Sequence, residues 1–360
     1  MSYMTQALSL ARRSLGSVSP NPPVGTVVVK DGSIVGEGYT QPPGQHHAEI
    51  VALNQAGLQA RGATLYTTLE PCNHQGRTPP CTDAIVEAGI AEVRAATLDP
   101  NPKVSGHGVE RLRDAGVRTS VGEGEDKACQ LMETYLKFVT TGLPFVTAKF
   151  AMSLDGKIAT RTGDSRWISG DRARWRVHGL RAVSDAVMVG VNTVLTDDPR
   201  LTARDERDDP RPRQPLRVIV DSRARAPVGS RLISEPGETL VAAAELSDQS
   251  RRQLAEAGVY AAELPAGDGS VDLAALMAYL AAERAITSLL VEGGASLLGS
   301  MFDLGLVDKV IAFVAPTIIG GKDAPTPVGG AGFERIADAL RLERVKWDRY
   351  GRDMAITGYC

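Results

Sequence analysis

Hydrophobic positions recur along this chain at two periods, and the period switches at turn residues. Residues 4–15 carry apolar side chains at helical spacing, so a helix opens the chain. VGTVVVKDG, residues 24–32, is an apolar strand run that meets an Asp-Gly turn, and SIVGEGYT after it is the expected hairpin partner. Residues 47–57 read as a helix stopped by glycine. GATLYTTLEP, CTDAIVEAG and IAEVRAATLDP then read as strand, helix and strand, and GHGVERLRDAG and GVRTSVG add a helix and a short strand. This alternation predicts an α/β sheet covered by helices.

A second cycle starts near residue 143. PFVTAKFAMSLDG is strand-like, residues 172–182 are helical, and SDAVMVGVNTV and PLRVIVDS are expected as buried strands. LAALMAYLAAERA, ITSLLVEGG and ASLLGSMFDLG follow as helix, strand and helix. VDKVIAFVAPTII and residues 354–358 complete the strands. Residues 126–139 are helical and precede a break at 140–143, so the expected domains are 1–142 and 143–360. Residues 203–215, charged and rich in proline, are expected as an exposed loop.

Bulk properties change this picture little. The 360 residues suit two domains. A net charge of -3 gives no electrostatic basis for nonspecific nucleic-acid binding. No apolar run approaches the ~20 residues of a membrane span. The first residues place their arginines after their apolar side chains, unlike a signal peptide. With four cysteines in a long chain, a reducing cytoplasm is expected, and clustered cysteines then point to metal or catalysis.

Such a cluster exists. His47-Ala48-Glu49 fits H-x-E, and Pro71-Cys72 begins the P-C half of a zinc-deaminase signature. In that chemistry one His and two thiolates hold zinc and leave the fourth position to a water, whose pKa falls to roughly 7. The Glu is a proton carrier and no ligand. His47, Cys72 and Cys81 are the candidate ligands and Glu49 the candidate catalytic residue. Cys81 follows two prolines at a helix start, which favours thiolate. The spacing departs from the usual two residues between cysteines, because eight, 73–80, intervene. His74 and Arg77 in that insert are of the type to contact an anionic substrate. Two blander readings stand beside this one: cysteines packed in a core, or a closed structural zinc with His74 as fourth ligand. Glu49, two residues from His47, argues for the open site.

The second half is less specific when read from its residues. LLVEGGASLLG is strand, Gly-Gly turn and helix, which lets a phosphate approach helix N–H groups but is also an ordinary tight turn. Gly320-Gly321 carries the same two readings. Ser222, Arg223 and Arg225 follow a strand, where hydroxyl and guanidinium would suit the 2′-phosphate of NADP or form a solvated turn.

Taken together, PNPPVGTVVVKDG, HAEIVAL, TLEPCNHQGRTPPC and DPNPKVSGHG resemble the N-terminal domain of the bifunctional riboflavin-biosynthesis deaminase/reductase family, which has the long insert between its cysteines. AKFAMSLDGKIAT, SRWIS, LRAVSDAVMVGVNTVLTDDPRLTAR and VEGGASLLG resemble the reductase domain of the same family. The resemblance implies a cytidine-deaminase-like α/β domain followed by a dihydrofolate-reductase-like α/β domain. It implies zinc on His47, Cys72 and Cys81, Glu49 as proton donor, and Asn21 and Asn101 near the substrate, although both asparagines also suit turns beside proline. It implies NADPH contacts at Ala151, Trp167, Thr193, Asp197, Ser222 and Gly294, Ala295, Ser296, Leu297, Leu298, Gly299 and Ser300. It implies substrate contacts at Ser165, Arg181, Leu201, Arg204 and Glu292. Arg181 and Arg204 are of the right type for a ribose phosphate, and surface ion pairs are the other reading. Lys149 and Asp155 sit in matched motifs with no role assigned.

The expected activity is zinc-hydroxide deamination of 2,5-diamino-6-(5-phosphoribosylamino)pyrimidin-4-one, then NADPH-dependent reduction of the ribosyl group to ribityl. The expected partners are this small-molecule substrate and further copies of the chain, with no nucleic acid and no membrane. Two rivals are a zinc deaminase of another base with a non-reducing second half, and a nonenzymatic zinc-stabilised binding protein.

Overall fold

The computed structural model describes residues 2–76, 79–102 and 104–360. The chain divides into two compact units, Met1–Leu143 and Pro144–Cys360. Among the described residues, the first holds a five-stranded sheet of β1 (Gly25–Lys30), β2 (Ser33–Tyr39), β3 (Thr64–Thr67), β4 (Glu92–Ala95) and β5 (Arg118–Val121), in the order β2-β1-β3-β4-β5. β1 is antiparallel to β2 and β3, while β3, β4 and β5 run parallel. Asp31 and Gly32 both take positive φ in the β1–β2 turn, the left-handed conformation that a two-residue hairpin demands.

β1 is buried on both faces. Val27 and Val29 pack on the helix Tyr3–Arg12, and Val28 packs with Ala52 and Leu53 of the helix Ala48–Ala56. This is why GTVVVK is a continuous apolar run. The helix Ala48–Ala56 rests on the glycines of β2. A Cβ on Gly38 would lie 2.1 Å from the Ala48 carbonyl oxygen, and one on Gly36 2.2 Å from that of Ala52. Only glycine allows this approach, and it seats the helix whose N-cap is His47.

The second unit holds a nine-stranded sheet among its described residues. Its strands are β6 (Phe145–Ser153), β7 (Ala186–Gly190), β8 (Leu216–Val220), β9 (Thr239–Ala243), β10 (Tyr260–Glu263), β11 (Ser288–Val291), β12 (Lys309–Ala315), β13 (Glu343–Tyr350) and β14 (Asp353–Tyr359), in the order β10-β9-β8-β7-β11-β6-β12-β14-β13. All neighbours from β10 to β12 are parallel, and β14 and β13 add an antiparallel edge. Helices such as Asp171–Val183 and Leu273–Arg284 cover it.

Three expectations change here. SDAVMVGVNTV is not one strand: β7 ends at Gly190, opposite the end of β8, and Val191–Asp197 is a helix. A short apolar run does not separate strand from buried helix. The loop 203–215 is not exposed throughout, because Ala203 and Arg204 are buried. β9, β10 and β13 escape the hydrophobic pattern. β10 (YAAE) has one buried position, β9 (TLVAA) is a short buried run with two alanines, and β13 is an edge strand with no buried position.

Candidate functional site

In the first unit, the loops after β3 and β4 and the start of the helix Ala48–Ala56 meet at the carboxyl ends of parallel strands, where α/β folds place ligands. His47 Nδ1 lies 3.3 Å from Cys81 Sγ and 3.6 Å from Cys72 Sγ. Tetrahedral zinc with bonds of about 2.0–2.3 Å needs ligand separations of roughly 3.5 Å, so this donor set fits the metal. Cys81 opens the helix Cys81–Glu87, and its backbone N–H donates to Cys72 Sγ at 3.4 Å. The Cys81 thiol and His47 hydrogen-bond the Cys72 thiolate and draw that thiol down to about 4. Hydrogen bonding to Cys72, together with burial, pushes Cys81 up, so a second anion there calls for a cation. Among the described residues, His47, Cys72 and Cys81 form the one candidate metal cluster, and His74 is not in it. The closed structural site is therefore disfavoured.

Glu49 is 4% exposed, and burial with the negative charge of Cys72 raises its carboxyl to about 7. It shares a cavity of about 370 Å³ with His47, Cys72, Asn21, His74 and Asn101. Among the described residues, His74 Nδ1 is buried without a hydrogen-bond partner. His46 is exposed, and Arg77 lies outside the described residues.

The same cavity contains three residues that the sequence reading passed over: Glu70, Asp99 and Tyr135. The Tyr135 hydroxyl donates to both Asp99 carboxylate oxygens, at 2.9 and 3.1 Å. Burial raises the Asp99 carboxyl above its usual range. Glu70 accepts the backbone N–H groups of Asp99, Gly106 and Val109 at 2.9–3.2 Å, which ties the cysteine loop to the 99–109 segment. Both acids lie in quoted motifs, LEPC and DPNP. Their place in those motifs is the one signal the sequence offers, since it shows neither their burial nor their hydrogen bonds.

The second unit brings its expected residues to two cavities. The first, about 670 Å³, is lined by Lys149, Ala151, Ser165, Trp167, Arg181, Thr193, Asp197, Leu201, Arg204 and Glu292. Glu292, at the end of β11, accepts Arg181 Nε at 2.6 Å and Nη2 at 2.9 Å, and Lys149 Nζ lies 3.8 Å from it. Burial alone would raise the Glu292 carboxyl, but the Arg181 charge and hydrogen bonds outweigh it and hold it low. Burial pulls Lys149 down. Arg204 is buried against Thr202 Oγ1, Asp208 and Glu235. Neither arginine is a surface pair, and both guanidinium groups already meet carboxylates. Trp167 is 67% exposed with the Arg174 guanidinium 4.5 Å from its ring centre, which excludes core packing.

The second cavity, about 680 Å³, is lined by Ser222, Gly294, Ala295, Ser296, Leu297 and Ser300. Leu298 and Gly299 belong to neither. Leu298 is 1% exposed, and Gly299 packs backbone to backbone on residues 329–330. Helical geometry turns these two positions into the core while their neighbours face the cavity. Arg225 contacts Asp221 and Asn192. Asp155 accepts Ser153 Oγ and the N–H groups of Ile319 and Gly320, so it clamps the Gly320-Gly321 turn. No helix of the described residues is long and apolar enough to cross a membrane.

Known proteins match this arrangement in both units. Residues 1–97 match the cytidine and deoxycytidylate deaminase zinc-binding region, and residues 144–356 match the RibD C-terminal domain. The chain is 43% identical to riboflavin biosynthesis protein RibD of Aquifex aeolicus, over 98% of this chain and 96% of the relative. It is 42% identical to that of Escherichia coli, over 98% and 97%. A solved structure of Acinetobacter baumannii RibD superposes with a TM-score of 0.90 at 40% identity, covering 99% of this chain and 97% of that one. A diaminohydroxyphosphoribosylaminopyrimidine deaminase/5-amino-6-(5-phosphoribosylamino)uracil reductase from Thermotoga maritima superposes at 0.86 and 36% identity, covering 99% and 98%.

Proposed function

From the premise that this chain belongs to the RibD family of bifunctional riboflavin-biosynthesis deaminase/reductases, we propose how its residues divide the work. The first unit deaminates 2,5-diamino-6-(5-phosphoribosylamino)pyrimidin-4-one, and the second reduces the ribosyl group of 5-amino-6-(5-phosphoribosylamino)uracil. Zinc and NADPH are the cofactors.

His47 Nδ1, Cys72 Sγ and Cys81 Sγ hold the metal. Zinc, when bound, supplies the Lewis acidity that makes water nucleophilic at neutral pH. Glu49, buried beside the ligands, takes one proton from the attacking water and hands it to the ring nitrogen, then takes the proton of the added hydroxyl and hands it to the amine as the C–N bond breaks. Asn21, His74 and Asn101 orient the pyrimidine within the cavity they share with Glu49. Arg77 joins them as a contact for the phosphate. The observation that carries this reading is one imidazole nitrogen within 3.6 Å of two thiols, with a buried carboxylate in the cavity that the imidazole lines.

In the second unit NADPH, when bound, supplies hydride to C1′ of the ribose. Ala151, Trp167, Thr193, Asp197, Ser222, Gly294, Ala295, Ser296, Leu297 and Ser300 hold it in this reading, which their lining of the two cavities supports. Ser165, Arg181, Leu201, Arg204 and Glu292 hold the phosphoribosyl group. For either arginine to grip phosphate, its guanidinium must share itself between that anion and its present carboxylate.

The test is a paired assay on one sample: ammonia released, NADPH consumed and zinc bound. Chelation should stop ammonia release and leave NADPH oxidation on supplied deaminated substrate. Metal-independent deamination would sink the assignment.

We further propose a cytoplasmic homo-oligomer. The four cysteines are free, as a reducing compartment keeps them. The edge strand β13 leaves Trp347 65% exposed, and such an edge is a template for a second copy. Sedimentation showing only monomer at micromolar concentration would reject the oligomer.

A further inference from the structure

We propose that His178 is a specificity-determining residue of the reductase site, whose Nε2 accepts a hydrogen bond from a hydroxyl of the substrate ribose. The inference rests on the reductase reading above. His178 precedes Arg181 by three positions on the helix Asp171–Val183, so the two side chains share a face, and both line the 670 Å³ cavity.

The tautomer follows from one contact. His178 Nδ1 lies 2.9 Å from the carbonyl oxygen of Thr202. A carbonyl oxygen only accepts, so Nδ1 carries the hydrogen. Nε2 makes no hydrogen bond to protein among the described residues. Burial, with the Arg181 charge beside it, lowers the imidazole pKa against the opposing pull of the Thr202 carbonyl, Glu292 and Asp208. The ring is therefore neutral at pH 7, and Nε2 presents a lone pair.

That lone pair is a neutral acceptor in a cavity lined by charged groups. Lys149, Arg166, Arg174, Arg181 and Arg204 supply donors, the Glu292 carboxylate is engaged by Arg181 and Lys149, and Asp197, Asp198 and Asp208 are the other acidic acceptors of the lining. A ribose phosphate brings an anion, which the cations suit, and hydroxyls, which need an acceptor. A carboxylate acceptor would repel the phosphate, whereas a neutral imidazole nitrogen does not. The same Thr202 carbonyl also accepts Arg181 Nη1 at 3.2 Å, which anchors His178 on the side proposed for substrate.

His178→Asn keeps an amide N–H near the Nδ1 position and removes Nε2. With the full chain and 5-amino-6-(5-phosphoribosylamino)uracil, H178N should raise the substrate KM about tenfold, the worth of one hydrogen bond. The kcat and the KM for NADPH should stay within about twofold, the signature of lost uniform binding. His178→Gln, whose longer amide carries an oxygen towards the Nε2 position, should recover most of the KM. The wild-type chain should discriminate about tenfold against the 2′- or the 3′-deoxyribosyl analogue, and H178N should not. Wild-type protein that treats both analogues like the substrate overturns the proposal without any variant. An unchanged substrate KM in H178N, or a rise confined to NADPH, also overturns it. Wild-type protein that oxidises no NADPH would instead overturn the reductase reading itself.

Discussion

The two units build sites of opposite character from the same kind of sheet. In the first, the candidate metal ligands converge from neighbouring loops, with His47 Nδ1 within 4 Å of both thiols, and polar side chains are proposed to do the chemistry. In the second, the proposed site spreads over two cavities, and the residues assigned to it are proposed to position a cofactor that carries the chemistry. A metal site has short distances and few acceptable donors, so each residue is individually decisive. A cofactor groove accepts many side chains, and backbone shape matters as much as identity.

The largest effect that would break this comparison is expected from Glu49→Gln. Ammonia release should fall about 10²- to 10⁴-fold, the usual worth of a general acid–base. Zinc should stay bound, and reduction of supplied deaminated substrate should be unchanged. Loss of both activities in a folded protein would merge the two sites. Next comes Glu292→Gln, which leaves Lys149 and Arg181 buried without their carboxylate. Breaking a buried pair costs about 3–5 kcal/mol, so thermal melting should show a destabilised second unit with reductase kcat/KM down at least tenfold and ammonia release intact.

Smaller effects sharpen the contrast. Leu298→Ala should cost about 2–5 kcal/mol as a core cavity while the NADPH KM moves less than twofold. A large KM shift would return Leu298 to the cofactor groove. Gly38→Ala forces a methyl against the Ala48 carbonyl. It should cost about 1–3 kcal/mol as overpacking and weaken zinc retention on dialysis more than it lowers melting of the second unit. Equal zinc retention would uncouple the helix seat from the metal.

Much of this was legible in the residues. H-x-E and P-C point to His47, Cys72 and Cys81, which the structure brings together, because zinc restricts donor type and spacing so tightly. The eight-residue gap mattered only once the family resemblance gave it meaning. Glu70 and Asp99 were not singled out, because a buried acid that accepts backbone N–H groups has no short-range sequence signature. Leu298 and Gly299 line neither cavity because a contiguous motif is not a contiguous surface: a helix turns each successive residue to another face. β13 was missed because an exposed edge strand lacks the alternation that marks half-buried strands.

The glycine seat under the helix Ala48–Ala56 has a mechanical consequence. Side chains are the compliant part of a protein interior, since they change rotamer when neighbours change. Here backbone bears on backbone at Gly36 and Gly38, with no side chain between. The helix that starts at His47 is thus mounted on the stiffest material available. Substitutions elsewhere in the core should soften the unit as a whole before they shift the position of that imidazole.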